Sequence, residues 1–471
     1  MNASDYMAQD AVGLAALIAE RQVSAREVVE AALARLEAVN PKLNAITLNL
    51  GAAALAQVKD GPPAGPLGGV PFLLKDLSAQ LAGTSTSAGS RIMGGAPAAS
   101  DSALVTNFKK AGLVIAGKTN TPEFGLEPVT EPERFGPTRN PWNLERTPGG
   151  SSGGAAAAVA AGIVPAAHAS DGGGSIRIPA SACGLFGLKP SRGRVSFAPA
   201  DEGWGGFSIH HAVTWSVRDS ATLLDAICPP RPGDPYWLAP PANPFAAEVG
   251  RDPGRLRIAF STTALAAPAI DPECAEAVRE AARLCESLGH DVEEASLPGD
   301  YAAVGQAAGT VVAASVAAML EAEGVRRGRA IGQDEIEPVT WATWQRGKGV
   351  SGSAYVQALQ AAHAFGRIVA GFFERYDVLL MSTLGSPAIP IGHLRNGDGR
   401  DYAERLFAFM PNTQAFNVTG QPAMSVPLAT SAAGLPIGLQ FTGRAGEEAL
   451  LFRLAGQLEQ ARPWAGRRPS I

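Results

Sequence analysis

Along residues 24–36 the apolar positions Val28, Val29, Ala32 and Leu36 recur at helical spacing, which predicts an amphipathic helix. Ser24 followed by Glu27 forms a capping box that sets its start, and Pro41 predicts that it has ended by then. It is the second of two helices expected at this end of the chain. Residues 45–50 read as a strand, and Gly69-Val70-Pro71-Phe72-Leu73-Leu74 is an apolar run that stops on Lys75 and Asp76. Asp101 as N-cap and Gly112 just past the last turn bracket a helix over 102–110, and a short buried strand follows over 113–116. A loop rich in Pro, Asn and Thr, 119–148, then leads to a Gly/Ser turn, an Ala-rich helix, a strand near 163–167 and a second Gly/Ser turn. Residues 228–255 are Pro-rich and read as a surface crossing. Asp271-Pro272 opens a helix that ends before Gly289, residues 289–297 read as a strand, and 300–375 are mostly helical. A short apolar strand over 378–381, a hairpin of 423–428 with 437–441, and a helix over 447–459 complete the pattern. Helices alternate with short strands and no internal repeat is present. The expected fold class is therefore a single large layered α/β domain over 1–471, although 471 residues would accommodate about three domains on length alone.

Composition changes this picture little. With 46% hydrophobic and 18% charged residues the chain is globular, and its 54 glycines and 36 prolines are dispersed as turns rather than gathered in a tail. A net charge of −5 without any Lys/Arg block argues against a nucleic-acid partner. Two stretches lack charge, 148–170 and 301–320, but Gly, Ser and Ala dominate them, so buried helices are expected and no membrane partner. The N-terminus has neither the basic nor the apolar segment of a signal peptide. None of Cys183, Cys228, Cys274 and Cys285 forms a C-x-x-C pair. Cys274 and Cys285 sit on one predicted helix, eleven residues and hence about 16 Å apart, too far for a disulfide. Reduced cysteines and a cytoplasmic location are the expectation.

Three motifs carry chemistry. Gly112-Leu113-Val114-Ile115-Ala116-Gly117-Lys118-Thr119 fits the P-loop letter for letter, yet Leu-Val-Ile-Ala wants to be a strand and a helix precedes the first glycine, so nucleotide binding is rejected. Gly150-Ser151-Ser152-Gly153-Gly154 fits the G-x-S-x-G elbow with Ser152 as nucleophile. Loop residues lead into it where a strand is required, and the late histidines His363 and His393 sit in no triad context. The third motif is the pair of turns taken together, Gly149-Gly150-Ser151-Ser152-Gly153-Gly154 and Asp171-Gly172-Gly173-Gly174-Ser175-Ile176-Arg177. Either alone is an ordinary turn. Together with an apolar run ending in Lys75 they are far more specific.

These stretches, with Ala182-Cys183-Gly184-Leu185-Phe186-Gly187-Leu188-Lys189-Pro190, resemble the amidase signature family. The resemblance covers nearly the whole chain and is densest over 113–195. Asn120-Thr121-Pro122-Glu123 and the segment from Thr138 to Leu144 look most like the 6-aminohexanoate cyclic dimer (nylon-oligomer) hydrolases and broad bacterial amidases and urethanases of that family. It implies a mixed sheet covered by helices on both faces, with a core over 60–200 and a variable helical cover over 230–375 near the substrate pocket. It also implies an acyl-enzyme hydrolase of C–N bonds in amides, aryl amides, oligoamides or carbamates. In that reading Ser175 is the nucleophile, Ser151 the bridging serine, often preceded by a cis peptide bond, and Lys75 the base, made neutral by burial. The backbone amides of Gly172, Gly173, Gly174 and Ser175 are the expected oxyanion hole. Asp171 is expected to hold the turn and Arg177 to pair with an acid. Where many members have Thr-Asp-x-Gly-Gly-Ser, this chain has Ser170-Asp171-Gly172-Gly173-Gly174-Ser175, which puts the pocket shape near Gly172 in doubt.

Phe124 and Gly125, opening the loop 124–140, are the expected substrate-binding residues, and the region of Trp204, Phe207 and His210 is expected at the pocket mouth. No cofactor or metal is implied, since His210 and His211 lack companion ligands at suitable spacing and read as packed or solvent-facing. The residues do not give the oligomeric state; homodimers are common among similar proteins, so the resemblance allows a homodimer. Two alternatives remain. A glutamine-dependent amidotransferase subunit would carry Ala-Ser-Ser-Leu-Asp-Gln after Val195, which is absent. A non-catalytic binding protein on the same fold would have lost one of Lys75, Ser151 and Ser175, and all three are present.

Overall fold

Ser24 does open a helix. Its hydroxyl accepts the Glu27 amide at 3.2 Å, and the Glu27 carboxylate accepts the Ser24 amide at 2.8 Å. The helix Ala25–Leu43 nevertheless runs through Pro41. A proline in the last turn forfeits one backbone bond, and Asn40 makes good the end. The Asn40 side chain accepts the amides of Ala45 and Ile46 at 2.9 and 3.0 Å, while left-handed Asn44 donates its amide to the Asn40 carbonyl at 2.8 Å. Two short helices, Ala3–Met7 and Ala11–Ala19, precede it rather than one. The helix Ala103–Lys110 is capped by Ser102, not Asp101. The Asp101 carboxylate instead accepts from the Ala82 amide and from Lys109.

The computed structural model describes residues 1–200, 202–228, 231–395 and 401–471. Its strands are β1 (Ile46–Asn49), β2 (Pro71–Lys75), β3 (Val114–Thr119), β4 (Ala166–Asp171), β5 (Phe186–Lys189) and β6 (Ile209–Thr214). Then follow β7 (Arg257–Phe260), β8 (Asp291–Glu294), β9 (Val378–Ser382), β10 (Ala423–Thr430) and β11 (Pro436–Gly443). They form one mixed sheet in the order β1-β3-β2-β4-β6-β5-β10-β11-β9-β7-β8. β2 runs parallel to β3 and β4, and β7 runs parallel to β8 and β9; the other pairings are antiparallel. The expected hairpin is β10 with β11. The P-loop look-alike is β3, buried along its whole length, as its Leu-Val-Ile-Ala content required.

Strand β6 went unread because it lacks apolar alternation: His210, His211 and Thr214 are polar letters, yet all three are buried in the sheet. The Ala-rich helix Gly153–Ala160 is buried on every side. Its glycines permit that, since a Cβ on Gly154 would lie 2.5 Å from the Asn120 backbone nitrogen. The stretch 300–375 is helical as expected: Tyr301–Arg327, Pro338–Lys348 and Gly352–Arg375. The first is long and apolar enough to cross a membrane by composition, and it buries Val304, Val311, Val316 and Leu320 against neighbouring elements. The helical cover begins later than expected. Residues between the Pro-rich crossing (of which 229–230 lie outside the described residues) and 300 build β7, the helix Pro272–Ser287 and β8, at the sheet edge opposite β1.

Candidate active site

Three chain segments converge beside the C-terminal ends of β2 and β4. β2 ends on Lys75, whose side chain is fully buried. The Lys75 Nζ donates to Ser151 Oγ at 2.7 Å and to Ser170 Oγ at 3.1 Å. Burial lowers its pKa to about 7, against the opposing pull of the Asp171 carboxylate. Removing a lone ammonium from water disfavours the charged form, and among the described residues no carboxylate touches this amine to restore it.

Ser151 lies in the first Gly/Ser turn, is 2% exposed, and follows a cis Gly150–Ser151 peptide. That turn is tight against its surroundings: a Cβ on Gly150 would lie 2.7 Å from the Val129 backbone. Ser152, the elbow candidate, is buried and bonds the Ser170 backbone on both sides, donating its hydroxyl to the carbonyl at 3.2 Å and accepting the amide at 3.3 Å. It does not line the cavity.

Ser175 sits in the second turn, between β4 and the helix Arg177–Cys183, and opens onto a cavity of about 310 Å³. Lys75 and Ser151 lie behind this surface and do not line it. No hydrogen bond joins Ser175 to Ser151, so of the expected relay the Lys75–Ser151 link is formed and the second link is open.

Asp171 builds the turn. Its carboxylate accepts the Gly174 amide at 2.7 Å and the Ile176 amide at 3.1 Å, and meets the Arg177 guanidinium through two bonds of 3.0 Å. Burial alone would raise the Asp171 pKa; the charge and hydrogen bonds of Arg177 outweigh it and hold the carboxyl well below the usual range. Arg177 is fully buried and also donates to Gln440 Oε1, Thr413 O and Asn417 Oδ1, away from the cavity. One correction follows for the oxyanion donors. The Gly174 amide is committed to Asp171, whereas among the described residues nothing accepts from the amides of Gly172, Gly173 and Ser175. All three of these residues line the cavity.

Two further expectations change. Gly125 lines the cavity, and its left-handed backbone brings it close enough that a Cβ would meet Ser151 Oγ at 3.2 Å. Phe124 does not line it; its ring is buried beside Ile92, Val316 and Leu320. Of the aromatic region, only Trp204 reaches the cavity, while Phe207 and His210 are buried beneath. The doubt at Gly172 resolves with Trp204: a Cβ at 172 would stand 2.7 Å from the indole, so glycine there is what admits the ring. Further walls come from helices Tyr301–Arg327 and Pro338–Lys348 and from Tyr402–Phe409, a helix with no reading from the sequence. Ser170 and His168 were also missed, although their place next to Asp171 on β4 marks them once that strand is extended to its true end.

Residues 27–452 match the Amidase family. The chain is 39% identical to the 6-aminohexanoate-cyclic-dimer hydrolase of Paenarthrobacter ureafaciens, over 98% of this chain and 97% of that protein. A solved structure of a 6-aminohexanoate cyclic dimer hydrolase complexed with substrate superposes with a TM-score of 0.94 at 38% identity, covering 98% of this chain and 99% of that one. A bacterial aryl acylamidase of the amidase signature enzymes matches at TM-score 0.87 and 29% identity, over 98% and 99% of the two chains. This chain belongs to the amidase signature family and is a serine hydrolase of amide C–N bonds.

Proposed function

We propose that Ser175 is the nucleophile, Ser151 the proton relay and Lys75 the base of an amidase acting on uncharged amides with an apolar acyl or aryl part. The observation that carries this reading is the dry amine of Lys75, 2.7 Å from the Ser151 hydroxyl, directly behind the cavity onto which Ser175 opens. Neutral Lys75 takes the Ser151 proton as Ser151 takes that of Ser175, and Ser175 Oγ attacks the carbonyl carbon. The oxyanion is met by the amides of Gly172, Gly173 and Ser175, each such donor contributing roughly 3 kcal/mol in the transition state. On collapse the C–N bond breaks, and the proton held by Lys75 returns through Ser151 to the departing nitrogen. Water then repeats the sequence on the acyl-enzyme and releases the acid.

Cavity walls of Leu126, Ile178, Trp204, Val312 and Leu406 favour an apolar acyl part. The lining carboxylate Glu127 is already paired with Arg395. The relatives that act on a cyclic oligoamide and on aryl acylamides support those two substrate classes, and a carbamate would follow the same acyl transfer. The four free cysteines support a reducing compartment such as the cytoplasm. The test is a panel of a p-nitroanilide, an aryl carbamate and linear and cyclic oligoamides, run on wild type and Ser175→Ala. Turnover is expected to fall more than about 10³-fold in the variant, with loss of labelling by a fluorophosphonate. Unchanged turnover in Ser175→Ala would reject the nucleophile.

A further inference from the structure

β2 and β4 are parallel neighbours, yet their pairing stops at Leu73 opposite Ala167. Two residues further along β2, the Lys75 amide points toward β4, because the next amide, that of Asp76, is taken by Thr119 of β3 on the other side. No backbone carbonyl of β4 meets the Lys75 amide. A side chain does: His168 Nδ1 accepts it at 3.2 Å. The two strands part here, and the gap holds the Lys75 amine with the hydroxyls of Ser151 and Ser170.

We propose that His168, backed by His210, is a positioning residue for Lys75: its imidazole replaces the missing ladder bond and fixes the strand end from which the amine reaches Ser151. This rests on the reading of Lys75 as the base. Protonation states follow from the contacts. Since His168 Nδ1 accepts, its proton resides on Nε2, which lies 3.1 Å from His210 Nδ1. His210 Nδ1 must then accept, so the pair is a one-way chain of two neutral rings. Both rings are fully buried; Phe197 covers His210 with ring centroids 4.2 Å apart, and Phe108 lies 6.0 Å from His168. A proton on either ring would break the chain and set a cation beside the amine.

The ionisable groups around His168 oppose that proton. Burial, then His210, Lys75 and His211, hold its pKa well below the ordinary histidine value. Burial and Lys75 bring His210 to about 3. Asp171, the carboxylate acting on Lys75, is neutralised by Arg177. The chain therefore stays neutral over the pH range in which Lys75 titrates, and the base alone sets that limb of the profile.

The experiment compares wild type with His168→Asn, whose amide oxygen stands near the Nδ1 position, and His168→Leu, which has no acceptor. A misplaced base costs on the order of 10²-fold. For His168→Leu we expect kcat to fall about 10- to 100-fold with KM within about twofold and the acid limb of kcat/KM displaced, with most of kcat restored in His168→Asn. A His168→Leu variant with wild-type kcat and acid limb, or a loss that Asn does not restore, would overturn the proposal. Nitrogen-15 spectra of the folded wild type supply a readout that needs no variant. His168 should be the neutral Nε2–H tautomer from pH 5 to 9, and an Nδ1–H tautomer or a protonation step in that range would overturn the proposal equally. Failure of the base assignment is separate, because it would show as retained activity in Lys75→Ala.

Discussion

At the scale of single residues, the consequence of Lys75's surroundings is a pH dependence whose sign can be stated. Only the neutral amine accepts a proton, so activity requires deprotonated Lys75, and its pKa is about 7. kcat/KM should rise tenfold per pH unit below about 7 and level off above it. Lys75→Arg cannot lose its proton and should cost about 10²- to 10⁴-fold in kcat. An acid limb that stays put near 7 in an active Lys75→Arg would assign the titration to another group. Stability moves with the same group. The unfolded lysine titrates near 10.5, the folded one near 7, so between these values the unfolded chain binds more protons and stability rises with pH. The shift corresponds to roughly 5 kcal/mol, an upper figure for a desolvated amine held by two hydroxyls. In Lys75→Met that handicap is gone. Its Tm advantage over wild type should be greatest below pH 7 and shrink as pH climbs toward 10, a trend thermal melts can follow.

At the scale of elements, glycines decide how closely the cavity walls approach. Helix Pro338–Lys348 crosses helix Tyr301–Arg327 at Gly347, where a Cβ would lie 2.0 Å from the Ala313 carbonyl oxygen. Gly347→Ala must therefore push the two helices apart. The expected cost is about 1–3 kcal/mol, with KM raised because Val312, Val339 and Thr343 move with them. The same substitution at Gly366, inside helix Gly352–Arg375 with open space around it, should stabilise by about 0.5–1 kcal/mol. Equal effects of the two on Tm would refute the close-approach argument. Such contacts also explain what could be read beforehand. The capping box of Ser24, the Asp271-Pro272 start and the β10–β11 hairpin are local, so their residues announced them. The continuation past Pro41 depended on Asn40 and Asn44 reaching across the helix end. β6 hid because its histidines are polar letters in a buried strand, His210 meeting a partner 42 positions away, His168. The two Gly/Ser turns stood out singly, but only the resemblance joined them to Lys75, since no spacing rule connects β2 to β4.

At the scale of the whole molecule, the site is closed by pinning the C-terminal part of the chain onto the loop 119–148. The Thr147 amide donates to Ile389 O at 2.9 Å, the Ile391 amide to Glu145 O at 3.1 Å, and the Gly392 amide to Glu131 at 3.0 Å. Arg395 then joins Glu127 and Glu337 at 2.6 Å each, and Tyr402 reaches Glu127. This clamp seats the helix Tyr402–Phe409, whose Tyr402, Leu406 and Phe407 line the cavity. Its Arg395–Glu127 link joins residues 268 positions apart and was invisible in the sequence. Burial raises the Glu337 pKa to about 7 despite the Glu133 amide and Arg395, which both lower it. Between the unfolded value near 4.5 and about 7 the folded protein binds more protons, so this carboxyl's contribution to stability is complete below 4.5 and is lost as pH rises through 7. Arg395→Ala leaves two buried carboxylates facing each other without their cation. Because Arg395 is 31% exposed, solvent tempers the effect to about 2 kcal/mol, between a surface and a buried pair. The variant should raise KM several-fold with a smaller change in kcat, and its stability loss relative to wild type should grow from pH 5 to pH 8 as Glu337 ionises. A stability loss independent of pH would mean that Arg395 acts through packing alone, and an unchanged KM would mean that the clamp does not shape the cavity.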